Sequence, residues 1–120
     1  MRADNYKLAS FRIIKLNCDI DPPSVKGEIT LSVENTITAF RHADSTIKRG
    51  MLKTETSVTS PDCENFKIYL ISESIFSFDE MPEDFDNALK ESCYPLSKEK
   101  IQEAVKSITS AMGINPIELS

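Results

Sequence analysis

The stretch that most constrains this chain is residues 66–78, Phe-Lys-Ile-Tyr-Leu-Ile-Ser-Glu-Ser-Ile-Phe-Ser-Phe. In a strand, alternate side chains share a face, so Phe66, Ile68, Leu70, Phe76 and Phe78 fall on one side. Tyr69, Ile71 and Ile75, interrupted by Glu73, make the other side largely apolar as well. A strand covered on one face only alternates more cleanly. The pattern predicts the best-buried strand of a sheet, with neighbours at both edges and cover over at least one face.

Three more strands are expected before it. Residues 8–20 form the first, with Phe11 and Ile13 on one side. After a phase change at Ile13-Ile14, the series Ile14, Leu16, Cys18, Ile20 alternates with polar residues, which predicts a bulge or a change of covered face. Asp21, Pro22 and Pro23 end this strand. Gly27 marks a turn into a second strand carrying Ile29, Leu31 and Val33, extendable through Ile37 to Phe40. A third, residues 47–59, is rich in Thr and Ser and is expected to be partly exposed.

Beyond Phe78 the period changes from two to about 3.6. Residues 79–86 hold five carboxylates and no base, a composition that suits a helix amino terminus. Phe85, Ala88, Leu89 and Cys93 are spaced as one face of a short helix. Tyr94 and Pro95 are expected to interrupt it. Ser97 is the expected N-cap of a last helix, with Ile101, Ala104, Val105, Ile108 and Met112 as its apolar stripe and Gly113 as its stop. Lys98, Glu99, Gln102, Glu103 and Lys106 form its solvated side. Four strands then two helices give a two-layer α+β class: a four-stranded antiparallel sheet with the helices packed on one face. At 120 residues, one domain spanning 1–120 is expected. The other sheet face, apolar in alternation, is expected to mark an oligomer or binding site.

Charge and composition exclude several functions. Residues 1–60 hold nine Lys or Arg against seven Asp or Glu, and residues 61–120 hold five against twelve. Phosphate backbones would be repelled by the second half, so no nucleic-acid partner is expected. No apolar run suits a membrane helix and the first residues lack a signal-peptide core, so no membrane insertion and a cytoplasmic location are expected. Three widely spaced cysteines fit reduced thiols. Neither they nor the lone His42 have metal-ligand spacing. With glycine only at 27, 50 and 113, no phosphate-cradling loop can be written. Asp79 with Glu80, or Glu83 with Asp84, could be acid/base pairs, but a carboxylate run at a helix start is usually a solvated cap. His42, Asp44 and Ser45 supply triad residue types within a single loop, where geometry alone could make them catalytic. Cys63 sits between Asp62 and Glu64, which would raise its pKa. No enzyme, cofactor or metal is expected.

Several segments together resemble a known family. Ile75-Phe76-Ser77-Phe78 ends a long strand, Tyr94-Pro95 precedes the last helix, and residues 107–119 read Ser-Ile-Thr-Ser-Ala-Met-Gly-Ile-Asn-Pro-Ile-Glu-Leu. With Phe11-Arg12-Ile13 and Cys18-Asp19-Ile20 in the opening strand, these look like the protein-export chaperone SecB and its SecB-like relatives. The resemblance implies a strand order 1-4-3-2, dimers pairing into a tetramer, and ATP-independent holding of unfolded polypeptide clients in apolar grooves. By position, Phe40, Phe76, Phe78, Ile101, Val105, Ile114 and Ile117 resemble groove-forming residues. The competing expectation for each is a place in the core, where most large apolar residues lie.

The family's acidic sheet patch meets the translocase ATPase SecA, and Asp19 matches one of its positions. The corresponding acid in the fourth strand is Tyr69 here. Residues 97–100, Ser-Lys-Glu-Lys, are polar where the family is usually apolar. Because SecB-like proteins also serve as chaperones dedicated to toxin-antitoxin systems, a single antitoxin-like partner is the alternative expectation. A non-catalytic structural subunit of a larger assembly is the other.

Overall fold

A computed structural model describes residues 6–19, 31–44, 46–61 and 63–111. The expected turn at Gly27, the start of the second strand at Ile29, and Met112 and Gly113 lie outside these residues. Strands β1 (Tyr6–Asp19), β2 (Ser32–Arg41), β3 (Arg49–Ser60) and β4 (Cys63–Phe78) form one antiparallel sheet ordered β1-β4-β3-β2. The long apolar strand β4 is thus paired on both edges. The phase change in β1 is a register shift between Ile13 and Lys15, and a second shift separates Leu8 from Ser10.

Directly paired residues of an antiparallel sheet share a face. Rows such as Ala39–Leu52–Ser74–Phe11 and Asn35–Thr56–Leu70–Leu16 therefore look toward the helical layer. On this side every even-numbered residue of β3, and of β4 from Phe66 onward, is buried. The expectation of a partly exposed β3 holds only for its odd-numbered face. Its small hydroxyl side chains, Thr54 and Thr56, are buried where a helix lies close above them.

One continuous helical run, residues 85–111, stands where two helices are expected. It comprises α1 (Phe85–Asn87), a π-helical segment (Ala88–Cys93) and α2 (Tyr94–Ala111). Pro95 lacks an N–H and its ring would meet the carbonyl one turn back in a regular α-helix. The π segment widens the turn before it, with Tyr94 N–H donating to Leu89 O five residues back, so the helix passes the proline unbroken. Asp84 supplies the amino-terminal cap, its carboxylate accepting from Asn87 N–H at 3.4 Å and Asn87 Nδ2 at 2.9 Å. Ser97 is no cap. It is buried one turn inside α2, and its hydroxyl donates to Ser74 Oγ at 2.7 Å. The buried stripe of α2 is consequently Ser97, Ile101, Val105 and Thr109, while Ala104 and Ile108 are half-buried at its margin.

The core has two parts. Leu52, Phe76 and Phe78 pack beneath Phe85, Ala88, Leu89 and Cys93, and Val58, Phe66, Ile68 and Leu70 pack beneath Ile101 and Val105. Between them runs a polar seam of Thr54, Thr56, Ser72, Ser74 and Ser97. The first part depends on a close approach at Gly50, where a Cβ would stand 2.8 Å from Phe85 Cζ. Phe85 is buried and its ring is covered by the Arg41 guanidinium at 4.4 Å, so it has little room to retreat. Gly50→Ala is expected to cost about 1–3 kcal/mol by overpacking, measured by chemical denaturation. In a Phe85→Ala background most of that cost is expected to vanish, a coupling that a double-mutant cycle reads directly.

Candidate functional site

A helix with its side chains is about 10 Å wide, whereas neighbouring strands lie about 4.8 Å apart. One helical run therefore covers two strands of four, here β3 and β4. Tyr6, Leu8, Ile37 and Ala39 of the edge strands still reach the core, with Tyr6 Oη donating to Ser92 O at 2.7 Å. Elsewhere these strands keep partly or largely exposed apolar side chains on the helix side. On β1 these are Ile13 and Leu16, 36% and 43% exposed, flanked by half-buried Phe11 and Cys18. On β2 they are Val33, 41% exposed, with half-buried Leu31 before it and Ile37 after it.

The β2 side is a groove of about 400 Å³. Val33, Asn35, Ile37 and Thr56 form its sheet wall, and Tyr94, Lys98, Ile101 and Gln102 its helix wall. Thr56 donates its hydroxyl to Asn35 Oδ1 at 2.8 Å, holding the amide flat against the sheet. The surface is apolar with a polar rim. Such a lining suits an extended chain, because apolar side chains can enter while amides and a lysine stay at the margin for backbone groups.

The candidate client-binding residues are divided by this arrangement. Ile101 lines the groove. Phe76 and Phe78 lie beneath the helix and Val105 is on its sheet-facing side, all three buried in the two core clusters, as is Ile101. Phe40 is 42% exposed but pairs with Met51, which puts it on the opposite face of the sheet. Ile114 and Ile117 lie outside the described residues. Sequence pattern marks Val33 and Ile37 only as strand residues, Tyr94 only at a helix break, and Lys98 and Gln102 only on a solvated helix side, none of them as a groove wall. The available signal was arithmetic, since too little apolar helix follows Phe78 to cover four strands.

The carboxylates and the polar loop serve local structure. Asp79, Glu80, Glu83, Asp84 and Asp86 are exposed, and Asp79 contributes its backbone carbonyl to Lys48 Nζ at 2.9 Å. Asp44 accepts from Thr46 N–H at 2.9 Å and from Thr46 Oγ1 at 2.6 Å, which lowers its pKa. Its carboxylate is thus turned to Thr46, while its own N–H donates to His42 Nδ1 at 3.0 Å. Ser45 lies outside the described residues. Among the described residues no three His, Cys, Asp or Glu side chains cluster as metal ligands, and no helix is long and apolar enough to cross a membrane. Asp19 is exposed on the face away from the helix, opposite Lys67, with Tyr69 in the adjoining row.

No protein-family model matches the sequence, and no curated protein does. Among solved structures, the Rv1957 SecB-like chaperone of Mycobacterium tuberculosis, in complex with a ChAD peptide from the Rv1956 HigA1 antitoxin, aligns with a TM-score of 0.81. The fold is SecB-like. Identity is 13%, and the match covers 98% of this chain and 90% of the other. The SecB-like architecture thus spans nearly the whole chain, including both edge strands and the helical run that define the grooves.

The two described thiols differ in burial. Desolvation pushes Cys93 up to about 12, and burial, then neighbouring Asp19, raises Cys18. Both are protonated at neutral pH, but Cys18 is partly accessible on β1 whereas Cys93 is sealed on the sheet-facing side of the helical run. Alkylation of the native protein is expected to label Cys18 well before Cys93, with Cys93 reacting only after denaturant is added. Peptide mass spectrometry of timed samples reads the order.

Proposed function

We propose that this chain is a SecB-like chaperone that holds non-native polypeptide in the apolar grooves beside α2, without cofactor or catalysis. The observation that carries this reading is the row of apolar side chains left uncovered on the helix side of both edge strands. Each groove adjoins a strand edge, so a client segment can lay side chains into the groove and pair its backbone with the edge. At about 25 cal/mol per Å² of apolar area, several such contacts hold a chain without reading its sequence. The peptide-bound SecB-like structure supports polypeptide as the ligand class.

In this reading Val33 is the open contact, and Ile101 lines the groove from its largely buried place on α2. Phe76 and Phe78 on the sheet, with Val105 on the helix, support the groove from within the core. Phe40, Ile114 and Ile117 remain proposed contacts through the family resemblance. The working form is a homodimer or homotetramer in the cytoplasm. Protein export through SecA is a narrower version, resting on Asp19. A second narrowing, a chaperone dedicated to one antitoxin-like partner, is favoured by the antitoxin peptide in the similar structure.

Aggregation of several unrelated, reduced and unfolded proteins, followed by light scattering with and without this chain, tests the proposal. Suppression for several is expected of a general holdase, and for one alone of a dedicated chaperone. Suppression for none, with no mass gained on mixing, defeats both and leaves a structural subunit. Val33→Asp, at a position already open to water, is expected to keep the fold and weaken capture about tenfold, the equivalent of losing most of one buried aliphatic side chain.

A further inference from the structure

The face of the sheet away from the helix carries its own apolar row. Phe40, Met51 and Ile75 stand directly side by side on β2, β3 and β4. They floor a depression of about 290 Å³ whose rim includes His42 and Arg49. Along β3 the row is bracketed by cations on both sides, because Arg49, Met51 and Lys53 share this face. The nearest carboxylate in the adjoining row, Glu73, is held by Arg12 at 2.9 and 2.6 Å. His42 accepts a hydrogen bond at Nδ1, which leaves the proton of the neutral ring on Nε2 as a donor.

The charge of the whole face points the same way. Among the described strand residues, six Lys or Arg face this side against Asp19, Glu34, Glu55 and Glu73. The chain as a whole carries −5. A basic face on an acidic protein selects partners by sign.

We infer that this depression docks a partner polypeptide segment in which a large apolar side chain is flanked by carboxylates. The apolar side chain enters over Phe40, Met51 and Ile75, and the carboxylates meet Arg49 on one side and Lys53 on the other. Phosphate-bearing polymers fit less well, since an aliphatic and aromatic floor offers nothing to a phosphate backbone. The site is on the opposite face from the grooves beside α2 and does not depend on them. Of the client contacts proposed above it shares only Phe40, which the family resemblance alone suggests.

The probes are three short fluorescent peptides: leucine flanked by glutamates, the same with lysines in place of the glutamates, and the same with serine in place of leucine. Anisotropy is expected to show binding of the first alone. Arg49→Glu is expected to weaken it at least about tenfold and to admit the lysine-flanked peptide, a reversal that misfolding cannot produce. Phe40→Ser is expected to remove the preference for leucine over serine. Equal binding of all three peptides, or no response to Arg49→Glu, overturns the inference. So does a fall in the mass of the unliganded protein on Phe40→Ser, which would make the row a contact between copies of this chain. Val33→Asp, which is expected to impair client capture, leaves glutamate-peptide binding unchanged, so failure of one reading is distinguishable from failure of the other.

Discussion

A helical layer half as wide as the sheet beneath it governs this molecule. Because one helical run can shield only β3 and β4, the large buried side chains concentrate on those two strands. Each such side chain contributes roughly 1.5–3 kcal/mol when fully buried, so the central pair stabilises the fold while the edges add little. Tyr6, Leu8, Ile37 and Ala39 still pack against the core from the edge strands, whereas Ile13, Leu16 and Val33 stay open to water on the helix side. The grooves arise as the uncovered remainder of a core, and they need no dedicated insertion or loop.

The interface under the helix is itself discontinuous. The seam of Thr and Ser lets the helix approach closely, yet it places hydroxyls where methyl groups would otherwise join the two clusters. Ser97 and Ser74 satisfy one another, and Thr56 is satisfied by Asn35. Thr54 Oγ1 and Ser72 Oγ, which sit on paired residues, are buried with no partner among the described residues. An unsatisfied buried hydroxyl costs about 1–3 kcal/mol. The apolar contact between helix and sheet is therefore strong at its two ends and weak in its middle, so the ends behave as separable units of stability.

Much of the architecture could be read from residue order, and the reasons are local. β4 announced itself because its apolar residues repeat with period two over its whole length. The shift at Ile13 and Lys15 was visible because a phase slip moves every later side chain to the other face. Phe85, Ala88, Leu89 and Cys93 share a helical face, and all four are buried. What escaped was set by tertiary contact. Ser97 has the chemistry of a cap, but its place opposite Ser74 is decided by helix position over the sheet. Gly50 signalled nothing until Phe85 came to lie against it. Pro95 reads as a break, and only the π segment, which has no composition of its own, shows how the helix continues. The groove walls escaped for a related reason, since Val33 and Tyr94 are distant in sequence and meet only because the helix stops short of β2.

The two register shifts in β1 bear on a hazard of the fold rather than on its geometry. A regular edge strand of fourteen residues is a template on which another chain can stack indefinitely. Each bulge leaves an unpaired residue, Ala9 and Ile14, and bends the strand, so no uninterrupted ladder of free backbone groups faces outward. Lys7, Arg12 and Lys15 add a like-charge repulsion between identical edges. A short stretch of partner backbone can still find a match, whereas propagation along the full edge is frustrated. The strand is thereby sticky over the length of one bound segment and inert over the length of a fibril.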